Sequence, residues 1–176
     1  MSIQMQKCET DEQWYRLSEF LIKHSNKMNP LLHPSSILLE LLTYKQNGGI
    51  LYGEIRGQIV CSLGYCIGTP DRQFANPSDA FIGSAILLEQ FRFSKLFYSG
   101  CGAFIEEMKA AEIPITRVYF NTLQNNEYLN RLYGKFAQKT SEFHNEYGAY
   151  CTYVARFQDF ASRFGCISSR IGERAK

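Results

Sequence analysis

The sequence predicts a single α/β domain built on one mixed β-sheet. Three observations indicate this fold class. Short apolar strands alternate with amphipathic helices along the chain. No linker, internal repeat or low-complexity segment divides the 176 residues. Residues 80–88 are apolar at nearly every position, which is typical of a central strand buried on both faces.

The predicted element order is β-α-α-β-β-β-α-β-α-β-β. Residues 10–13 have the form of a capping box, so the first helix begins there, and Ser35 or Ser36 can cap the second. Apolar residues at helical spacing place two further helices over residues 97–108 and 126–136. The predicted strands are residues 3–7, 50–55, 58–67, 80–88, 115–120, 138–144 and 149–157. Residues 1–157 form the predicted domain, and residues 158–176 form a polar, basic tail, frayed or docked on the surface.

Composition excludes several classes of function. Nineteen Lys and Arg against 17 Asp and Glu leave a net charge of +2, too small for a strong nucleic-acid footprint. No apolar window reaches the length of a membrane span, and the polar start is unlike a secretory signal, so we expect a cytoplasmic protein. The six cysteines form no Cys-x-x-Cys pair and no zinc-like cluster. We therefore expect reduced cysteines and no metal.

One segment carries a specific motif. Residues 126–136 read NEYLNRLYGKF and resemble the N-x-x-A-x-x-L-Y-x-K segment of the GNAT superfamily of N-acyltransferases, with matches at Asn126, Leu132, Tyr133 and Lys135. The predicted element order is similar to that of the GNAT fold, over about residues 3–157. The resemblance implies that acetyl-CoA, or another acyl-CoA, is the co-substrate. It places Asn126 beside the pantetheine and pyrophosphate.

The same resemblance gives Tyr133 a catalytic role. In this family the tyrosine hydroxyl protonates the departing CoA thiolate, and a neutral phenol is a suitable donor at pH 7. The alternative is structural: Tyr133 is also one position of an apolar stripe with Leu129, Leu132 and Phe136.

The second motif of the family is a Q/R-x-x-G-x-G/A loop whose backbone N–H groups hold the CoA pyrophosphate at a helix N-terminus. Residues 90–97 read QFRFSKLF and contain no glycine. Arg92 and Lys95 can add charge for the phosphates, or they are solvated loop charges. The resemblance assigns cofactor contacts to Leu88, Arg92, Phe93, Ser94, Lys95, Leu96 and Phe97, with a backbone N–H near Leu88 stabilising the oxyanion.

The resemblance also requires a group that accepts the proton of the ammonium substrate. Glu89, at the end of the central strand, is the nearest candidate, with Glu54, Asp79 and residues 142–146 as alternatives. Glu89 can instead cap the following helix or pair with Arg92. No motif surrounds the three histidines.

Two functions from different classes remain open. The first is an N-acyltransferase whose acceptor is a small-molecule or peptide amine. The second is a non-catalytic GNAT-like module that binds a protein or small ligand in the open cleft. Aromatic strands near the C-terminal end are compatible with a homodimer.

Overall fold

A seven-stranded sheet with helices on both faces forms the fold. The computed structural model describes residues 3, 5–91 and 95–165. The strands are β1 (Met5–Lys7), β2 (Gly48–Ile55), β3 (Gln58–Ile67), β4 (Asp79–Leu87), β5 (Arg117–Leu123), β6 (Gln138–Asn145) and β7 (Gly148–Arg156). The helices are α1 (Asp11–His24), α2 (Pro34–Asn47), α3 (Leu96–Lys109), α4 (Glu127–Tyr133) and α5 (Phe157–Phe164). The predicted order is confirmed as far as β7.

The helix α5 differs from the sequence prediction, which assigned residues from 158 onward to a polar tail. Phe160 and Phe164 are 1% and 2% exposed. Their rings lie 4.7 Å apart, and Phe164 also lies 5.1 Å from Phe136. Phe157, Phe160 and Phe164 are spaced i, i+3 and i+7, so one helical face carries all three rings into the core. Residues 166–176 lie outside the described part of the chain.

The two N-terminal helices begin at side-chain caps. The predicted capping box of α1 is confirmed, because Gln13 N–H donates to Thr10 Oγ1 at 3.3 Å and Thr10 N–H donates to Gln13 Oε1 at 2.9 Å. Helix α2 begins two or three residues earlier than predicted, at Pro34, and its cap is the His33 ring rather than a serine hydroxyl. Proline is favoured at this position because its missing N–H would have had no helical partner.

The sheet separates two apolar layers. Successive residues of β2 alternate between them: Ile50 and Tyr52 pack with α1 and α2, whereas Leu51 packs with α3 and α5. The five cysteines in the described ranges are free and buried, which confirms the expectation of reduced cysteines for those five. Among the described helices, none has the length and apolar character needed to cross a membrane.

The strand order is β1-β2-β3-β4-β5-β7-β6, and only the β4–β5 pair is parallel. That pair lasts for four residues, from Asp79 opposite Arg117 to Ile82 opposite Phe120. Beyond this point residues 83–87 of β4 and 121–123 of β5 are not paired with each other. We call this opening in the sheet the gap.

An ion pair closes the other end of the β4–β5 pair. The Arg117 guanidinium donates from Nε to Asp79 Oδ1 at 2.9 Å and from Nη2 to Asp79 Oδ2 at 3.0 Å. Asn76 donates to the same carboxylate at 2.7 Å. Asp79 is 0% exposed, so its charge depends on these donors for the hydration that it loses on folding. The contact fixes the register from which the two strands diverge.

The two partners of this ion pair should differ in their effect on stability. Arg117→Ala leaves a fully buried carboxylate without its cation, so we expect a loss of about 3–5 kcal/mol in the free energy of unfolding. Asp79→Asn leaves an arginine that can reach water, so we expect a smaller loss, about 1–2 kcal/mol. Denaturant unfolding measures both, with the exposed Arg131→Ala as control. A larger loss for Asp79→Asn than for Arg117→Ala would contradict this account.

Candidate functional site

Two cavities of similar size meet at the gap. The first, of about 490 Å³, lies between β4, the start of α3, α4 and α5. The second, of about 500 Å³, lies between β4, β5, α2 and the β6–β7 hairpin. Four residues line both: Lys27, Ala85, Leu129 and Tyr133. Ligands in the two cavities would therefore approach each other beside Tyr133.

The gap coincides with a bulge in β4. The β3–β4 register passes from Leu63 opposite Ala85 to Tyr65 opposite Ile82, which leaves Gly83 and Ser84 against one residue of β3. Tyr44 of α2 covers this bulge and accepts the Ser84 N–H at 2.8 Å. A Cβ atom on Gly83 would lie 2.1 Å from the Tyr44 hydroxyl oxygen. Glycine is required here because the tyrosine approaches the strand so closely.

The backbone of β4 presents donors to the gap, but not at the predicted residue. The Leu88 N–H donates to the Val60 carbonyl of β3 at 3.1 Å, so it is not free to stabilise an oxyanion. This corrects the sequence assignment. Because N–H groups alternate between the two edges of a strand, those of Ala85 and Leu87 point away from β3, toward the gap. Both residues line the first cavity.

The first cavity carries only positive charge. Its charged lining residues, within the described ranges, are Lys27, Lys135 and Arg163, with no carboxylate. An Arg163 N–H donates to the Lys135 carbonyl at 2.9 Å, which holds the guanidinium at the cavity wall. Such a wall favours an anionic ligand. The sequence analysis did not identify Arg163 as a site residue, because it assigned this part of the chain to a polar tail and not to the helix α5.

Tyr133 belongs to the core and also faces both cavities. The residue is 8% exposed, and its ring lies 5.2 Å from that of Phe120 and 5.8 Å from that of Tyr153. Its hydroxyl has no hydrogen-bond partner among the described residues. Burial raises the pKa of Tyr133 well above its ordinary value of 10, with smaller contributions from Cys101 and Tyr128. At neutral pH the hydroxyl is therefore fully protonated and has a hydrogen atom to donate.

The second cavity contains a carboxylate that sequence analysis did not find. The Ser84 hydroxyl donates a hydrogen bond to Glu40, and the Tyr44 hydroxyl donates to Ser84 Oγ at 3.0 Å. Burial raises the pKa of Glu40 above its ordinary value of 4.5, although the hydrogen bonds from Ser84 and Tyr44 oppose this shift. Glu40 is therefore a stronger base than an exposed glutamate.

Comparison with solved structures identifies the architecture. An acetyltransferase of the GNAT family from Staphylococcus aureus Mu50 has a TM-score of 0.68 and 13% identity, over 89% of this chain and 99% of that one. The NatC complex bound to Gag peptide and CoA contains a chain with a TM-score of 0.66 and 12% identity, over 89% and 99%. Aminoglycoside acetyltransferase AAC(6')-Ib, with coenzyme A and kanamycin, has a TM-score of 0.65 and 16% identity, over 92% and 98%. The chain has the GNAT fold.

Similarity at the level of sequence is much weaker. No protein-family model and no curated protein matches the chain. The likeness is therefore one of fold, and the chemistry has to be argued from the residues present.

The residues assigned from the GNAT motifs fall into three groups. Leu96, Phe97, Asn126 and Tyr133 line the first cavity. Leu88 and Lys95 are not among the described residues that line either cavity. Arg92, Phe93 and Ser94 lie outside the described residues. Asn126 caps α4 by accepting the Leu129 N–H at 3.1 Å, which combines a helix cap with a place at the cavity.

The carboxylates named from the sequence lie elsewhere in this GNAT fold. Glu89 is exposed in a short 3-10 turn after β4 and does not line the described surface of either cavity. Three of the alternatives are held in ion pairs, Glu54 with Arg16, Asp79 with Arg117, and Glu142 with Lys139, and the fourth, Glu146, is exposed and lies outside the described lining of both cavities. Of the carboxylates in the described ranges, only Glu40 lines either of these two cavities.

A buried thiol lies at the first cavity but is not an activated nucleophile. Burial raises the pKa of Cys61 to about 12, so the thiol stays protonated at neutral pH. The described residues contain no group of three or more His, Cys, Asp or Glu side chains arranged to hold a metal ion.

The raised pKa of Glu40 predicts a pH-dependent stability difference. The native protein holds a proton on Glu40 at pH values where the unfolded chain has lost it. Protonation therefore stabilises the native state at low pH, and this contribution is lost as pH rises from about 4.5 through the folded-state pKa. Measured by denaturant unfolding from pH 4 to 8, wild type should lose stability relative to Glu40→Gln as pH rises.

The exposed Glu112→Gln variant is the matched control for this comparison. Its stability difference from wild type should stay constant over the same range. A difference between wild type and Glu40→Gln that also stays constant, or changes in the opposite direction, would show that the Glu40 pKa is not raised.

Proposed function

We propose that the chain is an acyl-CoA-dependent N-acyltransferase that transfers an acetyl group from acetyl-CoA to a primary amine by direct attack. The observation that carries this proposal is the meeting of two cavities of different charge at the gap. The first has three cations and no carboxylate in its described lining, and the second has Glu40. A polyanionic thioester and an ammonium substrate match these two surfaces.

The first cavity suits coenzyme A in several respects. Lys135 and Arg163 offer charge to phosphate groups, and one of the two N–H groups of Ala85 and Leu87 can donate to a carbonyl of the pantetheine as a neighbouring strand would. Two proteins with the same fold hold coenzyme A in their structures, which supports this assignment. Bound acetyl-CoA would supply the activated acyl thioester.

Glu40 would prepare the acceptor for attack. An ammonium nitrogen has no lone pair, so it must lose one proton before a carbon–nitrogen bond can form. Glu40 would take this proton, directly or through the Ser84 hydroxyl that donates to it. The raised pKa of Glu40 makes this transfer less unfavourable than with an exposed carboxylate.

The gap would then orient the two reactants. The amine nitrogen attacks the thioester carbon, the carbon–sulfur bond breaks, and the N–H of Ala85 or Leu87 stabilises the oxyanion. The nitrogen loses two protons in all: Glu40 takes the first and releases it to solvent, and the second, lost as the amide forms, passes to the leaving sulfur through the Tyr133 hydroxyl. A buried tyrosinate is costly, so Tyr133 should act mainly as a hydrogen-bond donor while the bond lengthens. The products are an amide and free coenzyme A.

Removing the Tyr133 hydroxyl should separate chemistry from binding. In Tyr133→Phe the ring contacts with Phe120 and Tyr153 remain, and no hydrogen bond to a described residue is lost. We expect stability and acetyl-CoA affinity close to wild type and turnover lower by roughly 10² to 10⁴, which is typical of a positioned acid. Release of the CoA thiol in the presence of amines measures turnover, and calorimetry measures affinity.

Tyr15→Phe is the control, because Tyr15 is exposed on α1, outside the described lining of both cavities. Full activity in Tyr133→Phe would show that water protonates the thiolate. Acetyl-CoA binding without transfer to any amine would instead indicate the non-catalytic module, and the absence of acetyl-CoA binding would reject the proposal.

Arg163 should contribute directly to coenzyme A affinity. In Arg163→Ala one charge-assisted contact to phosphate is lost, so we expect the dissociation constant to rise roughly tenfold. Comparing coenzyme A with dephospho-coenzyme A by calorimetry tells whether the contact is to the 3′-phosphate or the pyrophosphate. Arg131→Ala, an exposed arginine outside the described cavity lining, should bind as wild type does. Equal affinity in Arg163→Ala and wild type would show that the Arg163 side chain faces solvent.

A further inference from the structure

The second cavity has the size and walls of a site for a small organic molecule. Its volume of about 500 Å³ lies within the range of ligand pockets. Six aromatic side chains line it: Tyr44, Phe81, Tyr133, Phe143, Tyr147 and Tyr150. Aliphatic residues of α2 and the preceding segment, including Leu32 and Leu39, complete the apolar surface. An apolar body of about one ring would bury well here.

Few charged residues line this cavity. Glu40 is the only carboxylate and Lys27 the only cation in its described lining. One carboxylate can compensate one ammonium group. A second ammonium on the same ligand would have no buried counter-charge and would be repelled by Lys27. The cavity therefore disfavours polycations.

The aromatic wall is fixed before any ligand arrives. Asn29, 3% exposed, donates to the Tyr150 hydroxyl and to the Tyr147 carbonyl, each at 2.8 Å. The Tyr147 and Ser36 hydroxyls are hydrogen-bonded at 2.8 Å. Phe143 stacks on Tyr150 with ring centroids 5.2 Å apart. These contacts tie the β6–β7 hairpin to α2, so a ring that enters the cavity meets a preorganised surface.

Two polar atoms at the edge of the gap lack partners. Asn121 Oδ1 and Thr122 Oγ1 are buried without a hydrogen bond to any described residue, and because side chains alternate along β5, Asn121 faces this cavity on the Phe81 side of the sheet while Thr122 points to the opposite face with Phe120. They follow directly after Phe120, the last residue of β5 that pairs with β4. An ammonium group has three N–H donors, so Asn121 Oδ1 can accept a hydrogen bond that Glu40 does not.

We propose that the acceptor is a small monoamine, with one primary ammonium group on an aromatic or apolar body and no second positive charge. The inference rests on the proposed function, since it specifies the substrate of the same site. The ammonium lies at the gap between Glu40 and Asn121 Oδ1. The apolar body lies against Phe143 and Tyr150.

Two amines distinguish this proposal from its main alternative, an acceptor with two ammonium groups. We compare 2-phenylethylamine with 1,5-diaminopentane, first as ligands by calorimetry and then as acceptors with acetyl-CoA. The phenyl compound should bind at least tenfold more tightly and show a kcat/KM at least tenfold higher. Tighter binding of the diamine, or no binding of 2-phenylethylamine, would overturn the proposal. The comparison of amine binding tests the proposed acceptor even if acetyl-CoA does not bind. A lack of acetyl-CoA binding would reject only the proposed function.

A designed change of specificity gives an independent test. Thr43 lies one turn after Glu40 on α2 and lines the cavity. Thr43→Glu adds a second carboxylate and should raise affinity for 1,5-diaminopentane about tenfold, whereas the uncharged Thr43→Gln should not. Glu40→Gln should lower the affinity for 2-phenylethylamine about tenfold and leave the affinity for coenzyme A unchanged. Unaltered amine affinity in Glu40→Gln, with the variant folded, would contradict the assignment of the ammonium site.

Discussion

The brief parallel pairing of β4 with β5 is the constraint on which the rest of the structure depends. The pair is anchored at one end by the buried ion pair of Asp79 with Arg117. It ends after Ile82, where Tyr44 presses on Gly83 and the β4 bulge begins. A continuous ladder would consume the backbone donors of the central strand and leave no passage between the faces of the sheet. The short pair leaves both a passage and free donors, while the hydrophobic layers on either side keep the strands in place.

The different charges of the two cavities follow from which elements cover each face. Helices α4 and α5 bring Lys135 and Arg163 to the first cavity, and α2 brings Glu40 to the second. Separation by the sheet matters because an anionic cofactor and a carboxylate base would repel each other if they shared one pocket. Tyr133 lies where the pockets meet, and it carries no charge at neutral pH. A neutral donor is the one kind of acid that both surfaces tolerate.

Much of the fold could be predicted from local pattern, whereas half of the site could not. The order of strands and helices, the cap at Thr10 and the placement of Asn126 and Tyr133 all depend on spacing within about ten residues. Glu40 escaped notice because its partner Ser84 is 44 residues away, and nothing near Glu40 in sequence distinguishes it from a surface glutamate. Leu88 was misassigned because a strand pattern does not tell which edge each N–H faces. Helix α5 was different, since the spacing of its phenylalanines was visible in the sequence.

Burial raises the pKa of three groups that line the two cavities, Cys61, Tyr133 and Glu40, yet the consequence differs for each group. For Cys61 the shift fixes a neutral thiol and removes a potential nucleophile. For Tyr133 it fixes a neutral donor, and for Glu40 it strengthens a base. This environment suits the proposed direct attack better than a covalent enzyme intermediate, because it keeps the only thiol at the first cavity's described surface protonated and shifts the pKa values of the proposed acid and the proposed base. The selection among mechanisms follows from desolvation rather than from any single motif.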